Sequence, residues 1–175
     1  MKKESDRGPI KVMGIDPGLK ATGYGVIACS VEGCVKALEV GSIEPKSKLV
    51  LTEKLLKVHQ YLTDIVSRQK PDIIVLEKLY SHSAHPMTAA VMGHVRGVIC
   101  LVCAQQGVSL IEESPKRVRK AVVGNGNASK EQTRRVVANF LKIDPEQLTL
   151  DASDALALAL AYAGMSRFSG RSPAL

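Results

Sequence analysis

Long apolar runs are missing from this sequence of 175 residues. Gly, Pro or a charged residue interrupts each apolar stretch before it approaches the roughly 18 consecutive residues that a membrane span needs. The opening residues MKKESDRGP contain lysines but continue into polar residues instead of the apolar core of a signal peptide. These two absences predict a cytoplasmic protein without a membrane segment.

Cysteine is also scarce, with four residues in the chain. This number is too small for a disulfide-stapled secreted scaffold, because a chain that is 45% hydrophobic can bury a core of its own. Cys100 and Cys103 form a C-x-x-C pair that could join Cys29 and Cys34 in a zinc site, but the pair lies within a helical apolar pattern. We therefore expect ordinary buried thiols rather than metal ligands.

Acidic residues are outnumbered, since 24 Lys and Arg face 17 Asp and Glu and leave a formal charge of +7. Residues 116–135 hold +6 of this charge, because they contain seven basic residues and one acid. The basic residues of this window are Lys116, Arg117, Arg119, Lys120, Lys130, Arg134 and Arg135. A charge so localised is typical of a surface that binds a polyanion, with a solvated helical face as the alternative. It predicts binding to nucleic acid.

Hydrophobic periodicity predicts one domain over residues 11–165, between a disordered tail at 1–10 and a flexible tail at 166–175. The predicted strands are Lys11–Ile15, Gly23–Ser30, Val35–Ile43, Asp72–Leu76 and Ser109–Glu112. The predicted helices are Ser47–Gln69, Met87–Gln106, one from Ser114, one opened by a capping box at Ser129–Gln132, and Asp151–Gly164. An antiparallel meander followed by strands reached through crossover helices indicates an α/β fold, with a mixed five-stranded sheet and helices on both faces.

Four acidic residues stand where this fold would bring them together. Asp16 and Glu77 each follow an apolar strand, and ligands gather at the carboxyl ends of strands in such sheets. Asp151 and Asp154 share one face at the start of a helix. A group of carboxylates without His or Cys suits Mg²⁺ or Mn²⁺, and two such ions can clamp a phosphodiester. Taken singly, each acid also fits an ordinary turn, strand end or helix cap.

The segments that carry these acids resemble the RuvC family of Holliday junction resolvases. They are Val12–Gly18 with Thr22–Gly25, Ile73–Tyr80 and Asp151–Ala163, in the family's order and spacing from Lys11 to Ala163. The resemblance implies a ribonuclease-H-like fold in which Asp16, Glu77, Asp151 and Asp154 bind divalent metal, two Mg²⁺ or Mn²⁺ ions per site. It also implies a homodimer that cuts four-way DNA junctions by paired nicks, leaves 5′-phosphate and 3′-hydroxyl ends, and works with a branch-migration complex of the RuvA and RuvB kind.

The basic segment Val118–Lys130 also resembles this family. The resemblance places Lys130 near the scissile phosphate, where a lysine could stabilise developing charge. A second family lysine falls near Arg119, with Lys120 beside it, and the sequence leaves open which of the two acts. Tyr80 aligns with an aromatic residue that stacks on a base at the junction centre, although a tyrosine that packs its own loop is the alternative. Further DNA contacts are expected from Lys116, Arg117 and Arg134.

The predicted helix Met87–Gln106 is apolar nearly all round and contains Gly93-x-x-x-Gly97. A helix of this kind needs cover beyond one sheet face, which a second subunit would supply. A two-fold dimer also matches the near two-fold symmetry of an open four-way junction. Burial within the monomer is the alternative.

Three other functions fit parts of the pattern. An ATP-binding domain of the actin and sugar-kinase type shares the fold but closes two related domains over its nucleotide, and this chain supplies one. A junction-binding or RNA-binding module that does not cut would not need four acids facing a phosphate. A related nuclease with another substrate has the same fold, because function resides in the site. Glu112, Glu113 and the histidines receive no role from the sequence.

Overall fold

A computed structural model of the chain describes residues 8–30, 33–79 and 86–169, with the backbone alone at 86–88 and 166–169. Its strands are β1 (Ile10–Asp16), β2 (Thr22–Cys29), β3 (Val35–Ile43), β4 (Ile73–Glu77) and β5 (Ser109–Glu113). Its helices are α1 (Leu51–Gln69), α2 (Pro86–Gln106), α3 (Pro115–Val123), α4 (Lys130–Leu141) and α5 (Leu150–Ser169), with a 3-10 turn at Pro145–Gln147. The predicted order of elements is confirmed.

The strands form one mixed sheet in the order β3-β2-β1-β4-β5. β1, β2 and β3 pair antiparallel as the predicted meander. β4 pairs parallel with β1 on one side and with β5 on the other, so both crossovers run through helices. The carboxyl ends of β1 and β4 therefore lie side by side at one edge of the sheet.

The two faces of the sheet bury separate clusters of side chains. Successive residues of a strand point to opposite faces. On β1, Val12 belongs to the cluster beneath α3, α4 and α5, whereas Met13 and Ile15 belong to the cluster beneath α1 and α2. β4 alternates in the same way, with Val75 on the α5 side and Leu76 on the α1 side. The same alternation places the two strand-end acids on the face that α5 covers.

Helix α5 lies unusually close to β1 and β2 because glycine faces it. A Cβ atom added at Gly14 would lie 1.8 Å from the carbonyl oxygen of Ala155, and one added at Gly23 would lie 2.1 Å from that of Asp151. Any side chain at these two positions would therefore push the helix away from the sheet. The contacts fix the first two turns of α5 relative to the end of β1.

Helix α2 is the least buried of the apolar helices. Residues 89–106 have the length and the mean hydropathy, 1.2, of a membrane-crossing helix, yet only 22% of this stretch is buried within the chain. Val95, Ile99 and Val102 pack in the core with α1, while Gly93, Gly97 and Leu101 are exposed. One side of α2 thus belongs to the core, and its other side is apolar and uncovered.

Several boundaries and one expectation about cysteine need correction. α1 begins at Leu51 rather than near Ser47, because the Glu53 side chain accepts a hydrogen bond from the backbone N–H of Val50 and caps the helix there. α5 continues to Ser169, so the first four residues of the segment predicted as a flexible tail have a helical backbone. Residues 1–7 and 170–175 lie outside the described residues.

The cysteines divide evenly between the core and the surface. Cys29 and Cys103 are buried as expected, whereas Cys34 and Cys100 are exposed. Burial raises the pKa of the Cys103 thiol to about 11. The expectation of four buried thiols is therefore correct for two of them.

The Gly14→Ala variant tests whether contact with α5 limits the residue at this position. We expect it to lose about 3 kcal/mol of unfolding free energy or more, because the new methyl group meets backbone rather than a flexible side chain. Urea denaturation measures the change. Gly164→Ala is the matched control, since a Cβ there meets nothing within 4 Å and alanine favours the helix by up to about 1 kcal/mol. Equal stability of the two variants would contradict the close packing.

Candidate active site

Three of the four predicted acids meet where β1, β4 and α5 converge. Asp16 is the last residue of β1 and Glu77 the last of β4. The register between these strands pairs Ile15 with Leu76, so the two acids that follow are neighbours. Asp154, in the second turn of α5, lies one residue before the Ala155 that contacts Gly14. Two strand ends and one helix therefore position the carboxylates.

Asp16 and Glu77 share a hydrogen bond between their carboxyl groups. Such a bond requires a proton, because two carboxylates have acceptors only. Burial, this hydrogen bond and the negative charges of Glu77 and Asp154 raise the pKa of Asp16 to about 9. The neutral form of Asp16 is therefore favoured when no cation is bound, and a bound cation would oppose this effect.

Lys130 neutralises the third acid. Its Nζ lies 2.5 Å from Oδ2 of Asp154, whose side chain is 14% exposed. Burial raises the pKa of Asp154, although the ion pair opposes this effect. Burial alone would lower the pKa of Lys130, but its pairing with Asp154 and the charges of Asp16 and Glu77 leave it raised. Lys130 is thus held as a cation beside three acids.

The position of Lys130 is set by the cap of α4. Ser129 accepts a hydrogen bond from the N–H of Gln132 at 3.1 Å, and the Gln132 side chain accepts one from the N–H of Ser129 at 2.8 Å. The predicted capping box is confirmed. Lys130 therefore stands at the first position of the helix, where the helix dipole disfavours a cation. The pairing with Asp154 compensates for this cost.

Asp151 lies three residues before Asp154 on α5. It is half-buried, and its carboxylate is not among the groups that act most strongly on Asp16 or Asp154. Within the described part of the chain, no three His, Cys, Asp or Glu side chains are arranged to hold one metal ion together. The structure thus brings together Asp16, Glu77 and Asp154, and a metal-binding role for the full quartet stays a prediction.

The chemistry of the clustered donors fits a hard cation. The three side chains offer carboxylate oxygens, which Mg²⁺ and Mn²⁺ prefer as ligands. Their mutual repulsion is relieved here by the raised pKa of Asp16, which favours its neutral form, and by the charge of Lys130. A divalent ion would supply the same relief with more charge.

Arg119 and Lys120 differ clearly in position. Arg119 lines a small cleft together with Glu77 and Asp154, and its charge lowers the pKa of Asp154 against the effect of burial. Lys120, the next residue on α3, is exposed and is not among the described residues that line this cleft. The geometry therefore favours Arg119 for the second basic role.

The remaining predicted DNA contacts fall into two groups. Lys116 and Arg117 are exposed at the start of α3, and Arg117 lies 3.6 Å from the carboxylate of Glu113. The Arg134 side chain is 18% exposed, pairs with Glu131 at 3.0 Å and donates to the backbone carbonyl of Leu148 at 3.2 Å. These contacts give Arg134 a structural use. Tyr80 lies outside the described residues, so its stacking role stays a prediction.

One residue of the site was missed by the sequence reasoning. Thr22 is completely buried, and its hydroxyl donates to the carbonyl of Gly18 at 2.7 Å. This bond closes the loop that follows Asp16. The threonine in Thr22–Gly25 was the available signal, because a small polar residue four positions after a Pro-Gly turn can cap that turn.

Comparison with known proteins agrees with this geometry. The family model described as "Crossover junction endodeoxyribonuclease RuvC" matches residues 12–162. A protein of that name from Rhodopirellula baltica is 40% identical over 152 residues, which cover 85% of this chain and 83% of the relative. One from Caldicellulosiruptor saccharolyticus is 35% identical and covers 87% and 92% of the two chains. The chain belongs to the RuvC family of crossover junction endodeoxyribonucleases. The resemblance inferred from the three acidic segments is confirmed.

Solved structures agree with the family assignment. The Thermus thermophilus RuvC structure superposes with a TM-score of 0.81 and 26% identity, and covers 91% of this chain and 97% of that one. A second structure, of T. thermophilus RuvC in complex with Holliday junction substrate, has a TM-score of 0.83 at 24% identity and similar coverage, 91% and 96%. The predicted ribonuclease-H-like fold is confirmed.

The raised pKa of Asp16 predicts how stability depends on pH. The pKa of Asp16 in the folded protein, about 9, exceeds the ordinary value of 3.8. Protonation of Asp16 therefore contributes fully to folding stability below pH 3.8, and this contribution is lost as the pH rises through about 9. In EDTA near pH 8, the free energy of unfolding of Asp16→Asn should therefore exceed that of the unsubstituted protein by at least about 1 kcal/mol. The variant should also melt at a higher temperature. Its stability should also depend less on pH.

Thermal unfolding in EDTA across about pH 5 to 9 measures this effect. Asp64→Asn serves as the matched control, because that carboxylate is exposed on α1. A stability curve for Asp16→Asn that runs parallel to that of the unsubstituted protein would show that Asp16 carries no bound proton.

Proposed function

We propose that this chain resolves four-way DNA junctions by metal-dependent hydrolysis of two symmetrically placed phosphodiesters. The observation that carries the proposal is the cluster of Asp16, Glu77 and Asp154 beside Lys130 and Arg119, in a chain of the crossover junction endodeoxyribonuclease family. Acids alone would repel DNA, and cations alone would bind it without cutting it. Their combination suits a phosphodiester bond.

The acids would hold divalent metal, with Mg²⁺ as the physiological ion, Mn²⁺ as a substitute and two ions per site. Asp16, Glu77 and Asp154 would be ligands because their carboxyl groups interact with one another, and Asp151 would be the fourth by its place on α5. When bound, the ions supply positive charge to the phosphate oxygens and acidity to a water molecule. The products would carry 5′-phosphate and 3′-hydroxyl ends.

The two cations beside the acids would contact the phosphate. Lys130 is 48% exposed despite its ion pair, so its ammonium can approach DNA without unfolding α4. Arg119 lines the cleft that Glu77 and Asp154 also line. Both would stabilise negative charge that develops on the phosphoryl oxygens. Lys116, Arg117 and Lys120 would extend this basic surface along exposed parts of α3, and Tyr80 would stack on a base.

A homodimer would provide two such sites for paired nicks. The uncovered side of α2 has exposed glycines at 93 and 97, where an added Cβ meets nothing within 4 Å, and Leu101 is 51% exposed. Covering this apolar side with a second copy removes it from water, and a two-fold dimer matches the symmetry of the junction. We also propose that the enzyme acts in the cytoplasm with a branch-migration complex of the RuvA and RuvB kind.

Cleavage of a synthetic junction tests the proposed function. The purified protein should nick a mobile four-way junction in Mg²⁺ or Mn²⁺ but not in EDTA, at paired positions that DNA ligase can reseal. It should leave a linear duplex of the same sequence intact.

Glu77→Gln should bind the junction but cut it at least about 100-fold more slowly, because an amide is a poorer metal ligand. Arg119→Ala should slow cutting by about tenfold or more, and Lys120→Ala, which removes the same charge from the next residue, should slow it far less.

Three results would contradict the proposal, each in a different part. Equal attack on the linear duplex would indicate a nuclease of this fold with another substrate. Junction binding without cleavage in either metal would indicate a binding module. Equal losses in Arg119→Ala and Lys120→Ala would remove the specific role of Arg119.

The dimer is tested by placing a charge on α2. The wild type should sediment with about twice the chain mass of 18.8 kDa, and Leu101→Glu should weaken self-association by tenfold or more, since it would bury an unpaired carboxylate. Phe140→Glu on α4 is the matched control, because Phe140 is similarly exposed, at 59%, in the layer on the other side of the sheet. Dissociation by Phe140→Glu but not by Leu101→Glu would place the interface elsewhere.

A further inference from the structure

We propose that Arg96 is a positioning residue that fixes the orientation of Glu77, with Glu112 as its anchor. The inference rests on the proposed function in one respect, that Glu77 acts as a metal ligand. Arg96 is the only Lys or Arg in the 21 residues of α2, and it lies in the middle of this apolar helix.

The side chain of Arg96 is enclosed rather than extended into solvent. It is 13% exposed, so its guanidinium has lost most of its contact with water. Burying a charge is unfavourable unless hydrogen bonds and an opposite charge replace the water. Arg96 obtains both, because Nη2 pairs with Oε1 of Glu112 and Nη1 donates to the backbone carbonyl of Glu77. A guanidinium can bind two acceptors at once in this way, with a fixed angle between them.

The carbonyl that Arg96 binds belongs to the peptide unit between Glu77 and Lys78. The N–H of the same unit donates to the carbonyl of Glu113 at 2.8 Å. Both polar atoms of this planar group are therefore held, one by α2 and the other by β5. The orientation of the group sets the backbone of Glu77 and hence the direction in which its carboxylate leaves the strand.

Without Arg96, this carbonyl would lie at the end of the β1–β4 pairing. The register between the two strands ends at Ile15 and Leu76, and the residue that follows Asp16 is Pro17, which has no N–H to donate. The end of β4 is thus fixed by a side chain from α2 where further pairing with β1 is blocked. The strand ends at Glu77, where the site needs a rigid support.

Glu112 keeps Arg96 in place from the same side of the sheet. It pairs in register with Leu76, which faces the core beneath α1 and α2. Glu112 is 44% exposed, so its own burial requires no cation. Its contact with Arg96 instead limits the rotamers that the arginine can adopt. No role for Glu112 follows from its position in the sequence, and this geometry assigns it one.

The test compares two variants of Arg96. Arg96→Met keeps an unbranched, flexible side chain but removes the charge and the donors, and Arg96→Lys keeps the charge and a single donor group. Arg96→Met should lower the single-turnover rate of junction cleavage at least tenfold and raise the metal concentration for half-maximal rate several-fold. Its affinity for the junction in EDTA should stay within twofold of wild type. Arg96→Lys should recover part of the rate. Arg68→Gln is the matched control for loss of a cation, because Arg68 is exposed on α1 and bound to Glu39 and Asp64.

Metal binding gives a second measurement that does not depend on cleavage. Calorimetric titration with Mn²⁺ should show weaker binding to Arg96→Met than to wild type or Arg68→Gln. If Arg96→Met does not fold, Glu112→Gln tests the same role, because a change of this half-exposed side chain should leave the protein folded. It should reduce both the cleavage rate and the Mn²⁺ affinity by a smaller factor. Unchanged rate and unchanged Mn²⁺ affinity in the folded variant would overturn the role of Arg96. A wild type that binds Mn²⁺ but cuts no junction would overturn the proposed function, and the titrations would still decide the role of Arg96.

Discussion

The contact of α5 with the glycines of β1 and β2 is the constraint on which the site depends. Gly14 and Gly23 let the helix backbone approach until added Cβ atoms would overlap the carbonyl oxygens of Ala155 and Asp151. This approach brings Asp154 over the end of β1, beside a carboxyl group that the strand alternation has already turned toward the same face. An extra methyl group at Gly14 would therefore change catalytic geometry as well as stability, since packing and site share the same atoms.

Bringing carboxylates together at this point is unfavourable, and the surrounding groups show how the protein tolerates it. Burial and the neighbouring acids raise the pKa of Asp16, and Lys130 pairs with Asp154 from the first turn of α4, against the helix dipole. The site is thus a region of stored electrostatic free energy that a divalent cation can release. Two basic residues of α3 and α4, Arg119 and Lys130, lie beside the acids and contribute to this balance.

Much of this arrangement was predictable from sequence, because it follows from periodicity. Alternation along the apolar strands places Asp16 and Glu77 on one face, and the capping box places Lys130 at a helix start. The separation of Arg119 from Lys120 was not predictable, because adjacent residues on a helix diverge by about 100° and the sequence does not say which side meets the cleft. The contacts of Asp151 were also not predictable from the sequence. The helix spacing shows that Asp151 and Asp154 can face the same way, but it does not show that both contact the same neighbours.

Arg96 shows where sequence reasoning stopped too early. A lone cation in an apolar helix predicts a nearby hydrogen-bond acceptor, because burial of an unpaired charge is unfavourable. What periodicity could not supply was the acceptor, which is a backbone carbonyl with no side-chain signature. α2 carries both the apolar side that we expect a second subunit to cover and the arginine that holds the backbone of Glu77, so the proposed interface and the support of Glu77 lie on the same helix.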